Sequence, residues 1–370
     1  MKNRNSVLSR VLTVCCGAGR YQGMRTAFFC ILLSLLAGSM LLAVMGKNPV
    51  VAYQSILQGA GFLPKIRYAG HRSMITDFMS LLDNTTPMIF ASLSVAVALK
   101  CGLFNIGVSG MMIASGFIAS VTAGYAPLTA AAARPLVIFI GICTGGFIGM
   151  LIGLLRYRFN ANEVVVAIMC NYIISYITGF FIQTACIDPS TRQSIKITEQ
   201  SRLTLFDTMV GNLRMEIPLM LPIAILCAVL LWFLFEKTVL GFELKAVGMN
   251  RTASRYIGID TAHIMILSMT ISGMLAGLAG VSYYLGCFSS IQPKVLPSVG
   301  FDCIAVALLG NCTPAGCVFA SLLIMTISCG TTYMTSRLGV LREIAGLITG
   351  LLLLFSACSA YFKARAEAVY

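Results

Sequence analysis

Little of this sequence is charged. Asp, Glu, Lys and Arg account for 11% of its 370 residues, where a soluble domain carries roughly 25%. That excludes an ordinary soluble fold. Acids are the rarer sign, 13 against 26 bases, for a formal net charge of +13. The two histidines, His71 and His263, stand apart, and no Cys-x-x-Cys pair occurs among the 14 cysteines. Metal-ligand spacing is therefore missing, and no metal is expected. Cys30, Cys143, Cys170, Cys227, Cys329 and Cys358 lie inside apolar runs, where cysteine behaves as a small hydrophobe, so no disulfide framework is expected either. Cys15 and Cys16 are adjacent in the N-terminal tail, and no second feature there points to lipidation or redox chemistry.

Catalytic patterns are absent too. There is no Gly-x-x-x-x-Gly-Lys-Ser/Thr loop to cradle a nucleotide, no His-Glu-x-x-His pair and no Gly-x-Ser-x-Gly elbow. No enzyme activity and no cofactor are expected. The acids closest to apolar runs, Glu163, Asp302 and Glu343, sit near the ends of those runs. Ion-coupled carriers keep costly charged groups near the membrane midplane because function requires them. Their absence argues that any driving force is supplied by another chain. The basic residues flank apolar segments, so they read as topology signals facing anionic lipid and not as a nucleic-acid surface.

What remains is apolar: 58% of the residues are hydrophobic and the mean hydropathy is +0.88. The sequence reads as an all-α, polytopic integral membrane protein with about ten transmembrane helices, some of them discontinuous. A basic tail, 1–25, precedes a single transmembrane domain, 26–360, and a short tail, 361–370, follows. Thr26–Met45 is long enough to cross roughly 30 Å of hydrocarbon. It lacks a small-residue cleavage site, so it reads as an uncleaved span that keeps the basic tail in the cytoplasm. Lys47–Asp83 reads as an outer loop. Further spans are expected at Thr85–Leu99, Gly102–Ala123, Pro135–Leu155, Val164–Thr184, Ile217–Phe235 and Ile264–Leu285. Lys100, Arg156 and Arg158 then fall inside, and the mixed-charge loop Ile187–Glu216 outside. Gly300–Gly310 is short, either a half-helix or a short span, and Cys317–Cys329 and Ile344–Ala360 complete the count. Lys363 and Arg365 favour a cytoplasmic C-terminus.

Two features stand out of this apolar background. Leu240–Asp260, within a cytoplasmic loop 237–262, turns polar and spells a short helix. Asn250 is a good N-cap, Ala253, Tyr256 and Ile257 recur at i, i+3, i+4, and Gly258 stands where a left-handed C-terminal residue belongs. The element suits contact with another protein, and a solvated connector is the plain alternative. The second feature is a pair of interruptions, Leu103–Gly110 and Gly300–Gly316, with glycine, asparagine and proline at membrane depth. Irregular backbone is tolerated there only when buried in protein or lining a cavity, and paired interruptions mark the pathway of a transporter. Asn105, Ser109, Asn171 and Asp302 are the pathway candidates. Close helix packing explains the glycines equally well and the polar side chains less well.

Five stretches occur in a telling order. Thr86-Pro87 leads into Lys100-Cys-Gly-Leu-Phe-Asn-Ile-Gly107, and Asn162-Glu-Val164 is followed by Asn171-Tyr172. Gly241-Phe-Glu-Leu-Lys-Ala-Val-Gly248 precedes Asn250 and Ala253–Ile257; Ser272–Gly280 and Gly300-Phe-Asp-Cys-Ile-Ala-Val-Ala-Leu-Leu-Gly310 come last. From about Val50 to Ala360 the chain thus resembles the membrane permeases of bacterial ABC importers in the branched-chain amino acid, sugar and nucleoside group. Phe-Asn-Ile-Gly and Gly-Phe-Asp look most like the nucleoside-type branch, which also includes riboflavin and simple-sugar permeases. One departure matters: that branch continues with x-Glu-Gly-Gln, whereas Val108-Ser-Gly-Met111 stands here, which weakens the substrate assignment and not the permease assignment.

The resemblance implies a permease subunit in the bacterial cytoplasmic membrane, importing a nucleoside-like small polar solute. It implies cytoplasmic ABC ATPase subunits, a second permease chain (a copy or a sister), and an extracytoplasmic substrate-binding protein as partners, besides membrane lipid. Glu243, Lys245, Asn250, Arg251 and Arg255 would form the coupling contact with the ATPase. The competing classes are an ion-coupled secondary carrier and a structural membrane protein.

Overall fold

The computed structural model describes residues 22–68, 70–210, 213–340, 342–358 and 361–362. Most of the basic N-terminal tail with Cys15 and Cys16, the side chain of Glu343, and the tail residues Lys363 and Arg365 lie outside the described set. Thirteen helices and one hairpin are described: α1 (Gln22–Val44), α2 (Pro49–Gly59), α3 (Met74–Lys100), α4 (Val108–Ala119), α5 (Ala130–Phe159), α6 (Glu163–Ala185), β1 (Thr204–Val210), β2 (Leu213–Pro218), α7 (Leu221–Lys237), α8 (Val239–Met249), α9 (Arg251–Tyr256), α10 (Thr261–Ser282), α11 (Val299–Leu309), α12 (Pro314–Leu338) and α13 (Arg342–Ala357). A π-helical turn extends α4 to Gly124 and another extends α10 to Cys287. Six helices, α1, α3, α5, α6, α10 and α12, are long and apolar enough to cross a membrane. The pair α7–α8 supplies a seventh if it is one span bent by 75°, and α4 and α11 are apolar but shorter.

α3 is the central element, 89% buried over its apolar window, and it begins at Met74 where hydropathy placed Thr85. Its first three turns carry Asp77, Ser80, Asp83 and Asn84, a composition that reads as loop. These groups are bonded inside the protein: Ser80 donates to Glu216 (2.7 Å) and Thr204 donates to Asp83 (2.6 Å). Asp83 is therefore a buried carboxylate inside a helix, which the reading of Lys47–Asp83 as a loop missed. Pro87, one turn on, cannot donate to the Asp83 carbonyl, and the Cys287 thiol donates to it instead (3.4 Å).

α10 lies between α3 and α5. On one side Ser94 and Ser272 exchange hydroxyl-to-carbonyl bonds of 2.7 and 2.8 Å. On the other, Gly141, Gly145 and Gly149 press against the backbone of Gly273, Gly277 and Met269, so closely that a Cβ at any of the three would collide with the facing helix. With no hydrophobic gain between helices in lipid, such close backbone approach supplies the packing energy.

Among the described residues the one two-stranded sheet is the antiparallel hairpin β1–β2, with Thr204 opposite Pro218 and Val210 opposite Leu213. β2 alternates apolar and polar residues, β1 carries Asp207 and Thr208, and the hairpin is too polar for lipid. Leu203 is fixed to the end of α10 through the Leu285 carbonyl (2.9 Å), and Arg214 to the loop before α3 through the His71 carbonyl (3.1 Å). α3 thus touches the hairpin at its start and α8 at its end. A 27-residue helix is about 40 Å long, so the hairpin and the α8–α9 elbow occupy opposite ends of the bundle.

Candidate functional site at the break between α3 and α4

After Lys100 the helix stops. Gly102 takes a left-handed conformation (φ +69°), which glycine adopts readily; Leu103 makes the last bond back to α3, at the Ala98 carbonyl (3.0 Å), and residues 104–106 run without helical bonding before α4 starts. A broken helix leaves amide N–H and carbonyl groups unpaired, and lipid offers no water to satisfy them. Two asparagines do so. Asn105, fully buried, accepts from the Gly107 amide (2.9 Å) and donates to the Ser272 hydroxyl on α10 (2.8 Å). Asn171 on α6 accepts from the Gly110 amide (2.9 Å) and donates to the Ile106 carbonyl (2.9 Å). A primary amide carries both donor and acceptor, so each side chain replaces a missing peptide partner.

The second interruption meets the first. Ser109 donates to the Pro297 carbonyl (3.1 Å), and Gly300 at the start of α11 packs directly on the Ser109 backbone. Three of the four pathway candidates, Asn105, Ser109 and Asn171, are therefore brought together. Their polar atoms face backbone and Ser272, not open space. Asp302, on the first turn of α11, is half-buried, and its carboxylate has no hydrogen-bond or ion-pair partner among the described residues. The apolar cavity of about 400 Å³ between α1, α2, α12 and α13, and two polar ones of about 340 and 310 Å³ beside the hairpin, are lined by other residues.

The α8–α9 elbow has the local structure its residues dictate. Asn250 caps α9 by accepting from the Ala253 amide (3.1 Å), and Gly258 ends it at φ +90°. Thr238 caps α8 in the same way through the Gly241 amide (3.1 Å). Three of the five residues expected to meet a partner have their polar groups engaged within the chain. Lys245 pairs with Glu236 (2.7 Å), Asn250 is the cap, and Arg251 donates to the Gly102 carbonyl (2.9 Å). The side chains of Glu243 and Arg255 make no hydrogen bond or ion pair among the described residues. Beside them Tyr256 and Ile257 are 89% and 69% exposed, an uncovered apolar tip.

The matching family model is described as the branched-chain amino acid transport system permease component, and it spans residues 78–357. The chain belongs to this permease family. It is a multi-pass membrane protein, and the match takes in both interruptions and the elbow. Relatives match almost end to end. A nucleoside ABC transporter permease, NupB of Lactococcus lactis, is 35% identical over 88% of this chain and 88% of its own length. The guanosine ABC transporter permease NupP of Bacillus subtilis is 35% identical over 89% and 91%. A glucose ABC transporter permease, TsgB13 of Haloferax volcanii, is 25% identical over 91% and 88%.

The residues that sequence reasoning missed are the silent ones. Ser272, Gly102 and Gly248 carry no charge, and although each lies in a stretch that carries the family resemblance, none stood out as a site residue. Gly248 is packed so tightly on the Lys100 and Cys101 backbone that a Cβ would overlap it. Only the pairing of glycines on either side of that contact offered a signal.

Proposed function

We propose that this chain is the membrane permease subunit of an ATP-driven importer in the bacterial cytoplasmic membrane, and that it moves a nucleoside-like small polar solute. The observation that carries this reading is the end-to-end likeness to permeases named for nucleoside and guanosine transport, joined to a chain with no nucleotide cradle of its own. ATP hydrolysis belongs to separate cytoplasmic ATPase subunits, and an extracytoplasmic binding protein delivers solute at the hairpin end. The elbow 237–262 is the coupling contact, its tip of Met249, Tyr256 and Ile257 entering an ATPase groove with Glu243 and Arg255 at the rim. Exposed apolar side chains in a loop otherwise polar support this, since single-molecule solubility does not favour them.

The second permease chain packs on α6. Tyr172 and Tyr176 lie on its exposed face, well inside a helix that spans the membrane, where a phenol facing lipid leaves its hydroxyl unsatisfied. Asp302 is the candidate of the four that remains open to solute, while Asn105, Ser109 and Asn171 hold the break together. Counting α4, α7, α11 and α13 with the six long helices brings the number of membrane segments to about ten.

The test is reconstitution with the partner ATPase in liposomes and measurement of guanosine accumulation. ATP-dependent uptake, lost on Arg255→Glu, is the expected result. Full uptake by this chain alone, driven by an ion gradient, sinks the proposal.

A further inference from the structure

We propose that residues 101–107 are a transmission segment that carries movement of α9 into the intramembrane break, and that Arg251 is the positioning residue that couples them. This rests on the importer reading above. The segment is gripped at both ends. At the α9 end, the Arg251 guanidinium donates to the Gly102 carbonyl (2.9 Å), and Gly248 lies in backbone contact with Lys100 and Cys101. Arg251 is the first residue of α9, directly after the Asn250 cap, so a shift of α9 as a body carries the guanidinium with it.

At the membrane end, Asn105 ties the segment to α10 through Ser272, and Asn171 ties Ile106 and Gly110 to α6. Ser109, the second residue of α4, passes the contact to the second interruption through Pro297 and Gly300. Between these grips Leu103 donates back to the Ala98 carbonyl of α3 (3.0 Å) and residues 104–106 make no helical bond, and a stretch this short limits how far its two ends can separate. Movement at Gly102 therefore reaches α4, α6, α10 and the start of α11 together. A segment held by discrete bonds at each end has the two-arrangement character that coupling between distant sites requires. Arg251 thus acts inside the chain and not on the ATPase surface, where Arg255 is placed.

Cys101 gives a direct readout, because it is fully buried and adjoins the gripped carbonyl. In the detergent-purified full chain, Arg251→Met is expected to raise the rate of Cys101 alkylation by N-ethylmaleimide about tenfold, read by peptide mass spectrometry; this corresponds to about 1.4 kcal/mol in the opening equilibrium. Arg255→Met leaves that rate unchanged. In the complex with its ATPase, Arg251→Met keeps the ATPase co-purifying at the wild-type ratio but lowers guanosine uptake per ATP hydrolysed about tenfold, and Arg251→Lys, which keeps a cationic donor, restores most of it. Unchanged Cys101 alkylation, or loss of the ATPase from the Arg251→Met complex, overturns the proposal. Where Arg251→Met yields no folded protein, Gly248→Ala carries the same test, its Cβ forcing α8 off Lys100; a Cys101 that stays protected there overturns it equally. Absence of uptake by the wild-type complex defeats the importer reading alone, since the alkylation readout needs no ATPase.

Discussion

Three side chains inside this bundle stand in for backbone partners that the helix geometry removed. Asn105 and Asn171 serve the break, and the Cys287 thiol serves the carbonyl that Pro87 leaves free. Their value lies in what is stranded when they go. Asn171→Ala leaves the Gly110 amide and the Ile106 carbonyl without partners, and each unsatisfied buried group costs about 1–3 kcal/mol. Thermal unfolding in detergent is expected to show a clear fall in the transition temperature, larger than for Asn250→Ala. That second change removes a helix cap at the exposed elbow, worth about 1 kcal/mol, and is expected to lower uptake while barely moving the transition. Equal thermal shifts for the two variants contradict the assignment of Asn171 to the break.

At the scale of elements, two interfaces decide the architecture. The first is the glycine stripe of α5 against α10. Gly145→Val inserts a branched side chain where the Gly273 carbonyl already sits, and overpacking typically costs about 1–3 kcal/mol. Loss of the monodisperse peak in size-exclusion chromatography is the expected outcome, and a wild-type profile refutes close contact. The second is the seat of the hairpin on α3. Thr204→Val removes the hydroxyl that donates to Asp83 and leaves a buried carboxylate unpaired. Faster cleavage within 204–218 in limited proteolysis is expected, with the rest of the digest unchanged.

For the whole molecule, the expected apolar segments recur as helices with ends displaced by only a few residues at α1, α5, α6 and α10. Long apolar runs in lipid leave the backbone no alternative to internal hydrogen bonding, so their hydropathy alone is decisive. The elbow was legible for a different reason: its cap, its short apolar face and its terminal glycine are local signals read within ten residues. The start of α3, the hairpin and α2 were not legible. Hydropathy scores a polar turn as loop whether it faces water or is bonded inside the protein, and Asp77, Ser80 and Asp83 are of the second kind. The candidate site was half legible. Asparagines in apolar runs announced themselves by their cost, but their partners did not, because Ser272 lies 167 residues from Asn105 and Gly102 lies 149 from Arg251.

By itself, then, the sequence determined the class: a helical membrane chain with no nucleotide cradle, two interruptions in its apolar runs and one capped polar elbow. These follow from composition and short-range pattern, which act wherever the chain sits. Only the tertiary structure decided that the asparagines bond to the backbone of the break, that the two interruptions touch, and that Arg251 turns inward to Gly102. Those contacts depend on which helices lie side by side, and that is set by shape-fitting of small residues such as Gly145 and Gly277. Such fitting leaves no trace in hydropathy or charge.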